Sequence, residues 1–136
     1  MSKKFTDKVT IITGASSGIG KALAYEFSAR GAKVVLGARQ EDKLAEVCAD
    51  INAKGGKAVW CKCDVTNEED CKKLIECAVE NFGGVDILIC NAGLSMRALL
   101  DDVDLDVLHR LMDVNFWGCV GCTKYALPYL QKSKGS

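Results

Sequence analysis

The sequence predicts an α/β domain organised around a parallel β-sheet. Three observations lead there. Short β-branched runs alternate with stretches whose apolar residues recur at helical spacing, the first three helical stretches each stop at a glycine, and the composition is that of an ordinary globular domain. With 136 residues, 49% hydrophobic, 26% charged and 7% aromatic, the chain is neither collagen-like, coiled-coil nor intrinsically disordered.

Val9-Thr10-Ile11-Ile12, closed by Thr13-Gly14, reads as a buried strand. From Gly18 the period becomes helical, with Ile19, Leu23, Ala24 and Phe27 on one face, and the pattern stops at Arg30-Gly31. Lys33-Val34-Val35-Leu36-Gly37 is a second buried strand. Glu41 and Asp42 then load the first turn of a second helix, where carboxylates complement the helix dipole. Leu44, Val47, Cys48 and Ile51 form its buried face, and Lys54-Gly55-Gly56 its end. A third strand, 57–62, leads into Cys63-Asp64-Val65-Thr66-Asn67. The third helix aligns Leu74, Ile75, Ala78 and Phe82 and stops at Gly83-Gly84. Val85-Asp86-Ile87-Leu88-Ile89-Cys90 is the fourth strand, ending at Asn91-Ala92-Gly93. After a looser stretch over 94–102, one long helical pattern covers about 104–131, through Leu105, Leu108, Leu111, Met112, Phe116, Leu127 and Leu130. Pro128 lacks the N–H that would bond Lys124, so a bend or a local end is expected there. Strands alternating with helices give right-handed βαβ units. No repeat, linker or low-complexity segment interrupts them.

Charge and hydropathy narrow the function. Eighteen Lys and Arg balance eighteen Asp and Glu, so a general attraction to nucleic acid or to an anionic membrane is not expected. No apolar run approaches the roughly 18 residues that span a bilayer. The basic start, Met1-Ser2-Lys3-Lys4, leads only into the short run at Val9, far below the roughly 7–15 apolar residues of a secretory signal. The expected compartment is the cytoplasm. The eight cysteines sit inside apolar periodic segments and read as packing thiols. Cys61-Lys62-Cys63 and Cys119-Val120-Gly121-Cys122 have metal-hook spacing, but they fall on a strand and a helix rather than on loops, so no metal site is expected. His109 has no partner at ligand or triad spacing and reads as a surface residue.

The chemistry lies in Thr13-Gly14-Ala15-Ser16-Ser17-Gly18-Ile19-Gly20, which joins the first strand to the first helix. Glycines there permit a tight turn and close backbone approach, while the helix N-terminus presents unpaired N–H groups to a diphosphate. A tight turn that binds nothing is the alternative. Three further motifs follow in order: Asp64-Val65 after the third strand, Asn91-Ala92-Gly93 after the fourth, and Asn115 inside the long helix. In these four motifs the chain resembles the N-terminal half of the short-chain dehydrogenase/reductase family, NAD(P)(H)-dependent oxidoreductases with a Rossmann-like, doubly wound fold. The resemblance covers essentially the whole chain.

That resemblance implies a parallel sheet of order 3-2-1-4, with residues 1–136 forming the N-terminal part of a single NAD(P)-binding domain. It implies that Gly14, Ser16, Ser17, Gly18, Ile19 and Gly20 line the pyrophosphate and its ribose, that Asp64 accepts from the adenine amino group beside Val65, and that Asn91, Ala92 and Gly93 support the sheet edge under the cofactor. The plainer alternatives are a helix cap for Asp64 and a turn residue for Asn91. At the end of the second strand, where the family's NAD users carry an acid, stands Ala38, followed by Arg39, whose guanidinium can clamp a 2′-phosphate. NADP(H) is therefore favoured over NAD(H), against the alternative that Arg39 pairs with Glu41 or Asp42.

Of the family's catalytic set, only the helical asparagine has a match here, Asn115, whose weak helix propensity suits a local kink. No Tyr-x-x-x-Lys is present: four residues after Tyr25, Tyr125 and Tyr129 come Ala29, Tyr129 and Ser133. The chain reads as a cofactor-binding fragment of a larger enzyme, inactive alone, whose parent is expected to be a homo-oligomer (dimer or tetramer) that acts on a small carbonyl or alcohol. The fourth strand is expected to show a bare apolar edge and the long helix an exposed apolar face. Leu94-Ser95-Met96-Arg97 points to a hydrophobic substrate. The competing reading is a non-catalytic nucleotide-binding sensor or interaction module.

Overall fold

The structure is a computed structural model and describes residues 4–136. The first residues of the basic start, 1–3, lie outside the described residues. Four strands, β1 (Val9–Thr13), β2 (Lys33–Ala38), β3 (Lys57–Lys62) and β4 (Ile87–Ile89), form one sheet of order β3-β2-β1-β4. Every pairing is parallel; Ile11 stands opposite Val35 and Leu88, and Leu36 opposite Trp60. The crossovers are α1 (Gly18–Ala29), α2 (Glu41–Ala53) and α3 (Glu68–Phe82).

Strand periodicity explains the two-sided core. Successive side chains point to opposite faces, so a strand covered on both sides is apolar throughout. Ile12, Val34 and Leu36 pack with Ala24 of α1 and with Leu44, Val47 and Ile51 of α2. Val9, Ile11 and Val35 face the other way, against Leu74, Ile75 and Ala78 of α3 and Ala126 of a later helix. The apolar stripes predicted for α2 and for most of α3 are the buried faces observed. In α1 the stripe is broken at Ile19, which is 73% exposed at the first turn.

Two elements differ from expectation. β4 is shorter than the predicted run from Val85 to Cys90. At its start, Asp86 turns its carboxylate to accept from the Val9 amide at 2.8 Å; at its end, the Asn91 amide folds back onto the Ile89 carbonyl at 3.0 Å. The long helix is three consecutive pieces: α4 (Leu105–Met112), a π-helical turn (Asp113–Trp117) and α5 (Gly118–Ser133). The kink expected at Asn115 is thus a widened turn, in which each amide reaches five residues back. α5 continues through Pro128, so no helix end occurs there.

β4 is an edge strand, and Ser136 meets its free side. The Ser136 amide donates to the Asp86 carbonyl at 2.9 Å, and its carbonyl accepts from the Leu88 amide at 2.8 Å, the bonding of one residue in a parallel bridge. Leu105, Met112, Phe116, Trp117 and Leu127 leave an apolar face exposed along α4 and α5, as expected. Among the described residues, no helix is long and apolar enough to cross a membrane.

Candidate functional site

The loops leaving the carboxyl ends of the strands enclose a cleft of about 540 Å³, between the β1–α1 turn and the segment after β4. In an open parallel sheet this is where strand order reverses and ligands bind. Gly14, Ser16 and Ser17 line one side of it.

The β1–α1 turn is held from below. Thr13 is buried, and its hydroxyl accepts from the amides of Asn91 and Ala92 at 3.0 and 2.9 Å. The Asn91 side-chain amide returns two bonds, donating to the Thr13 and Gly14 carbonyls at 3.1 and 3.3 Å. Asn91 is therefore more than a turn residue: it ties the end of β4 to the end of β1. Glycine is required at two points. Gly14 has φ +65°, and a Cβ there would lie 2.9 Å from the Ala92 Cα. A Cβ on Gly20 would overlap the Gly14 carbonyl and come 2.5 Å from the Asn91 side chain. Gly20 thus supports the turn from beneath.

The N-terminus of α1 is bare. Ser17 occupies the cap position in extended conformation without a side-chain cap, and the first turn carries no acid. By contrast, the first turns of α2, α3 and α4 contain Glu41 and Asp42, Glu68 through Asp70, and Asp106. The free N–H groups and positive dipole end of α1 remain available to an anion.

Arg39, at the end of β2, is exposed and lines the cleft. It makes no ion pair with Glu41 or Asp42; the ion pairs among the described residues are Arg30–Glu26, Lys33–Asp7 and Lys54–Asp50. Asp64 and Val65 stand across the cleft. Asp64 does not cap α3; that cap is Asn67, whose side chain accepts from the Asp70 amide at 3.1 Å. Instead, Asp64 Oδ1 accepts from the Thr66 hydroxyl at 2.7 Å and from the Thr66 amide at 3.0 Å. The Thr66 hydroxyl bond is the main reason its carboxyl titrates below the ordinary carboxylate range. The Thr66 amide and the positive charges of Arg39 and Arg110 add to that, while partial desolvation opposes it.

Ala92 and Gly93 line the cleft beside Leu94. Asn115 does not reach it. Its side chain brackets the backbone of Leu94, accepting from the Leu94 amide at 2.8 Å and donating to the Leu94 carbonyl at 2.7 Å. Gly18, Ile19 and Gly20 are likewise absent from the lining. Sequence reasoning missed Arg110, Asp113 and Val114, which complete the far wall. Their i, i+3, i+4 spacing marks one helical face, a signal that gains meaning only once the helix is known to cross the cleft. Among the described residues, no group of three or more His, Cys, Asp or Glu could hold a metal ion.

The family model for short chain dehydrogenase matches residues 8–136. The chain belongs to that family. It is 43% identical over 136 residues to 11-beta-hydroxysteroid dehydrogenase A of Sesamum indicum, covering 98% of this chain and 39% of that protein. It is 44% identical over 133 residues to 11-beta-hydroxysteroid dehydrogenase-like 2 of Arabidopsis thaliana, covering 96% of this chain and 43% of that protein. The X-ray structure of an alcohol dehydrogenase from the archaeon Thermococcus sibiricus complexed with 5-hydroxy-NADP superimposes with a TM-score of 0.91 at 32% identity, over 94% of this chain and 55% of that one. This short-chain dehydrogenase chain therefore spans well under half the length of these curated relatives. Its four-stranded parallel sheet is the Rossmann-like fold of that X-ray structure's corresponding part.

Proposed function

We propose that this chain is the cofactor-binding part of an NADP(H)-dependent oxidoreductase that acts on a carbonyl or secondary alcohol. The observation that carries the reading is the bare N-terminus of α1, whose cap residue Ser17 lines a cleft that also holds Arg39, a guanidinium in no ion pair among the described residues. The fit is chemical: free N–H groups suit a diphosphate, and Gly14 and Gly20 pack too closely to admit a Cβ, which keeps the turn tight. When bound, the nicotinamide coenzyme supplies hydride exchange with the substrate carbon.

The residues of the chain divide the remaining work. Gly14, Ser16, Ser17, Gly18 and Ile19 hold the diphosphate and adjoining ribose, and Gly20 keeps their turn in shape. Asp64, ionised across the neutral range, accepts from the adenine amino group, with Val65 beside the ring. Asn91, Ala92 and Gly93 form the floor. Arg39 takes the 2′-phosphate, which selects NADP(H) over NAD(H). Asn115 positions the Leu94 backbone and contributes to the proton path of the whole protein. Without a Tyr-x-x-x-Lys pair, this chain alone turns over no substrate.

Leu94 lines the cleft with apolar surface, and the two curated relatives described above are named hydroxysteroid dehydrogenases. A hydrophobic ketone or alcohol is the corresponding substrate class for the whole protein, which we take to be a homo-oligomer. Eight free thiols suit a reducing compartment, and the cytoplasm fits this reading.

Arg39→Asp is the direct test of cofactor choice. It should weaken NADPH binding by about tenfold or more through loss of a charge-assisted contact, and NADH binding far less. Equal losses for both coenzymes would remove the assignment.

A further inference from the structure

Gly118 opens α5 inside a continuous helical run, and nothing in its own backbone asks for glycine. Its φ of −61° and ψ of −43° are ordinary right-handed values. Alanine is the better helix former at such a position. A residue that departs from local preference is explained by what surrounds it.

The space beside Gly118 is taken by Val65. A Cβ at position 118 would lie 2.7 Å from Val65 Cγ2, 2.9 Å from Val65 Cβ and 3.4 Å from the Val65 carbonyl oxygen. Gly118 is buried and does not line the cleft; Val65, against which it sits, does. Gly121, a turn later, meets α3 more loosely. A Cβ there would lie 3.4 Å from Cys71 Sγ, an ordinary contact.

Neither partner at the Gly118–Val65 contact gives way easily. Valine is branched at Cβ and stiff at χ1. Its segment is tied on both sides. The Asp64 amide donates to Asp70 Oδ2 at 3.0 Å, the Asn67 amide to the Asp64 carbonyl at 2.9 Å, and the Cys71 thiol to the Val65 carbonyl at 3.4 Å. The helix is held as well. The Tyr125 hydroxyl donates to Glu68 Oε1 at 2.6 Å, Cys122 and Ala126 are fully buried, and Asn115 in the π turn grips the Leu94 backbone.

We propose that Gly118 is a positioning residue for the coenzyme: its missing side chain seats α5 against Val65 and so fixes the wall of the cleft that the adenine meets. This rests on the reading above, in which Val65 stands beside the adenine ring. A methyl group at position 118 drives Val65 toward the cleft or lifts the helix, and with it Arg110 and Val114, off the far wall. Either movement alters the adenine end. The β1–α1 turn, tied separately through Thr13 and Asn91, stays in place.

The test titrates the folded chain calorimetrically with NADPH and with adenosine 2′,5′-bisphosphate, which is the adenosine half alone; circular dichroism verifies the fold of each variant. Gly118→Ala should weaken both probes by about tenfold or more through lost packing on the ring, even though alanine favours helix. Gly121→Ala, the same change a turn later, should leave both within about twofold. Val65→Gly leaves only the carbonyl of residue 65 near the added methyl. Combining it with Gly118→Ala should therefore weaken binding by no more than about twofold beyond Val65→Gly alone. That comparison decides the matter if Gly118→Ala by itself does not fold.

Unchanged affinity in Gly118→Ala would overturn the proposal. So would a further loss of about tenfold when Gly118→Ala is added to Val65→Gly, because Gly118 would then act elsewhere than on Val65. Equal losses in Gly118→Ala and Gly121→Ala would also overturn it, as a general softening of α5. Absence of binding by the unaltered chain would overturn the coenzyme reading itself, and this proposal with it.

Discussion

The Thr13 hydroxyl sits buried at the end of β1 and receives the amides of Asn91 and Ala92. Asn91 has a second acceptor in the Ile89 carbonyl, so Thr13→Val orphans chiefly the Ala92 amide. Ala92 is only partly buried, so losing this bond costs about 0.5–1.5 kcal/mol, and urea unfolding of the variant should show that loss. An unchanged unfolding midpoint would mean that the hydroxyl is not the tie it forms in the structure. Asp64 gives a second expectation at this scale. Its lowered folded-state pKa means that ionised Asp64 stabilises the fold above the ordinary carboxylate value, and that this contribution is lost as pH falls through the lowered one. Thr66→Val removes the largest cause and should move the Asp64 titration, followed by carboxyl NMR, upward toward the ordinary range. An unmoved titration would assign the shift elsewhere.

At the level of elements, the sequence made the strand–helix alternation, the glycine-rich β1–α1 turn and most buried faces legible, because these follow from local periodicity and from glycine placement. What escaped was set by distant contacts. β4 is short because the Asp86 side chain is claimed by Val9, 77 residues away. Ile19 has helical spacing but sits in the first turn of α1, where no neighbouring layer covers it. The π turn was legible only as a kink at Asn115. Its shape makes sense beside the bond pair to Leu94, which a one-dimensional pattern cannot reveal. Arg110 escaped for the same reason: it belongs to the cleft only after α4 is laid across it. Asn115→Ala should therefore loosen the segment after β4 more than the helix itself. Losing the acceptor of the Leu94 amide should speed its hydrogen exchange by about tenfold, as one net hydrogen bond predicts. Unaltered exchange at Leu94 would place the hold on that segment elsewhere.

On the scale of the whole molecule, the chain has zero formal charge, and its cleft is lined by two arginines and by Asp64 and Asp113. Arg39, Arg110 and the amide end of α1 face the same cleft, so attraction there is local rather than a property of the overall field. The sheet supplies the platform, with a helical layer on either side and its strands ending together beneath that cleft. The claim that joins these observations is that the first turn of α1 receives a dinucleotide diphosphate. Isothermal titration of NADPH and of NADH into the protein, with Gly20→Ala as the altered-turn control, tests it most directly. The account predicts saturable binding of one coenzyme per chain, tighter for NADPH and weakened by about tenfold or more in the variant, since a misplaced turn loses several amide contacts. Folded protein, verified by circular dichroism, that gives no heat with either coenzyme would contradict it.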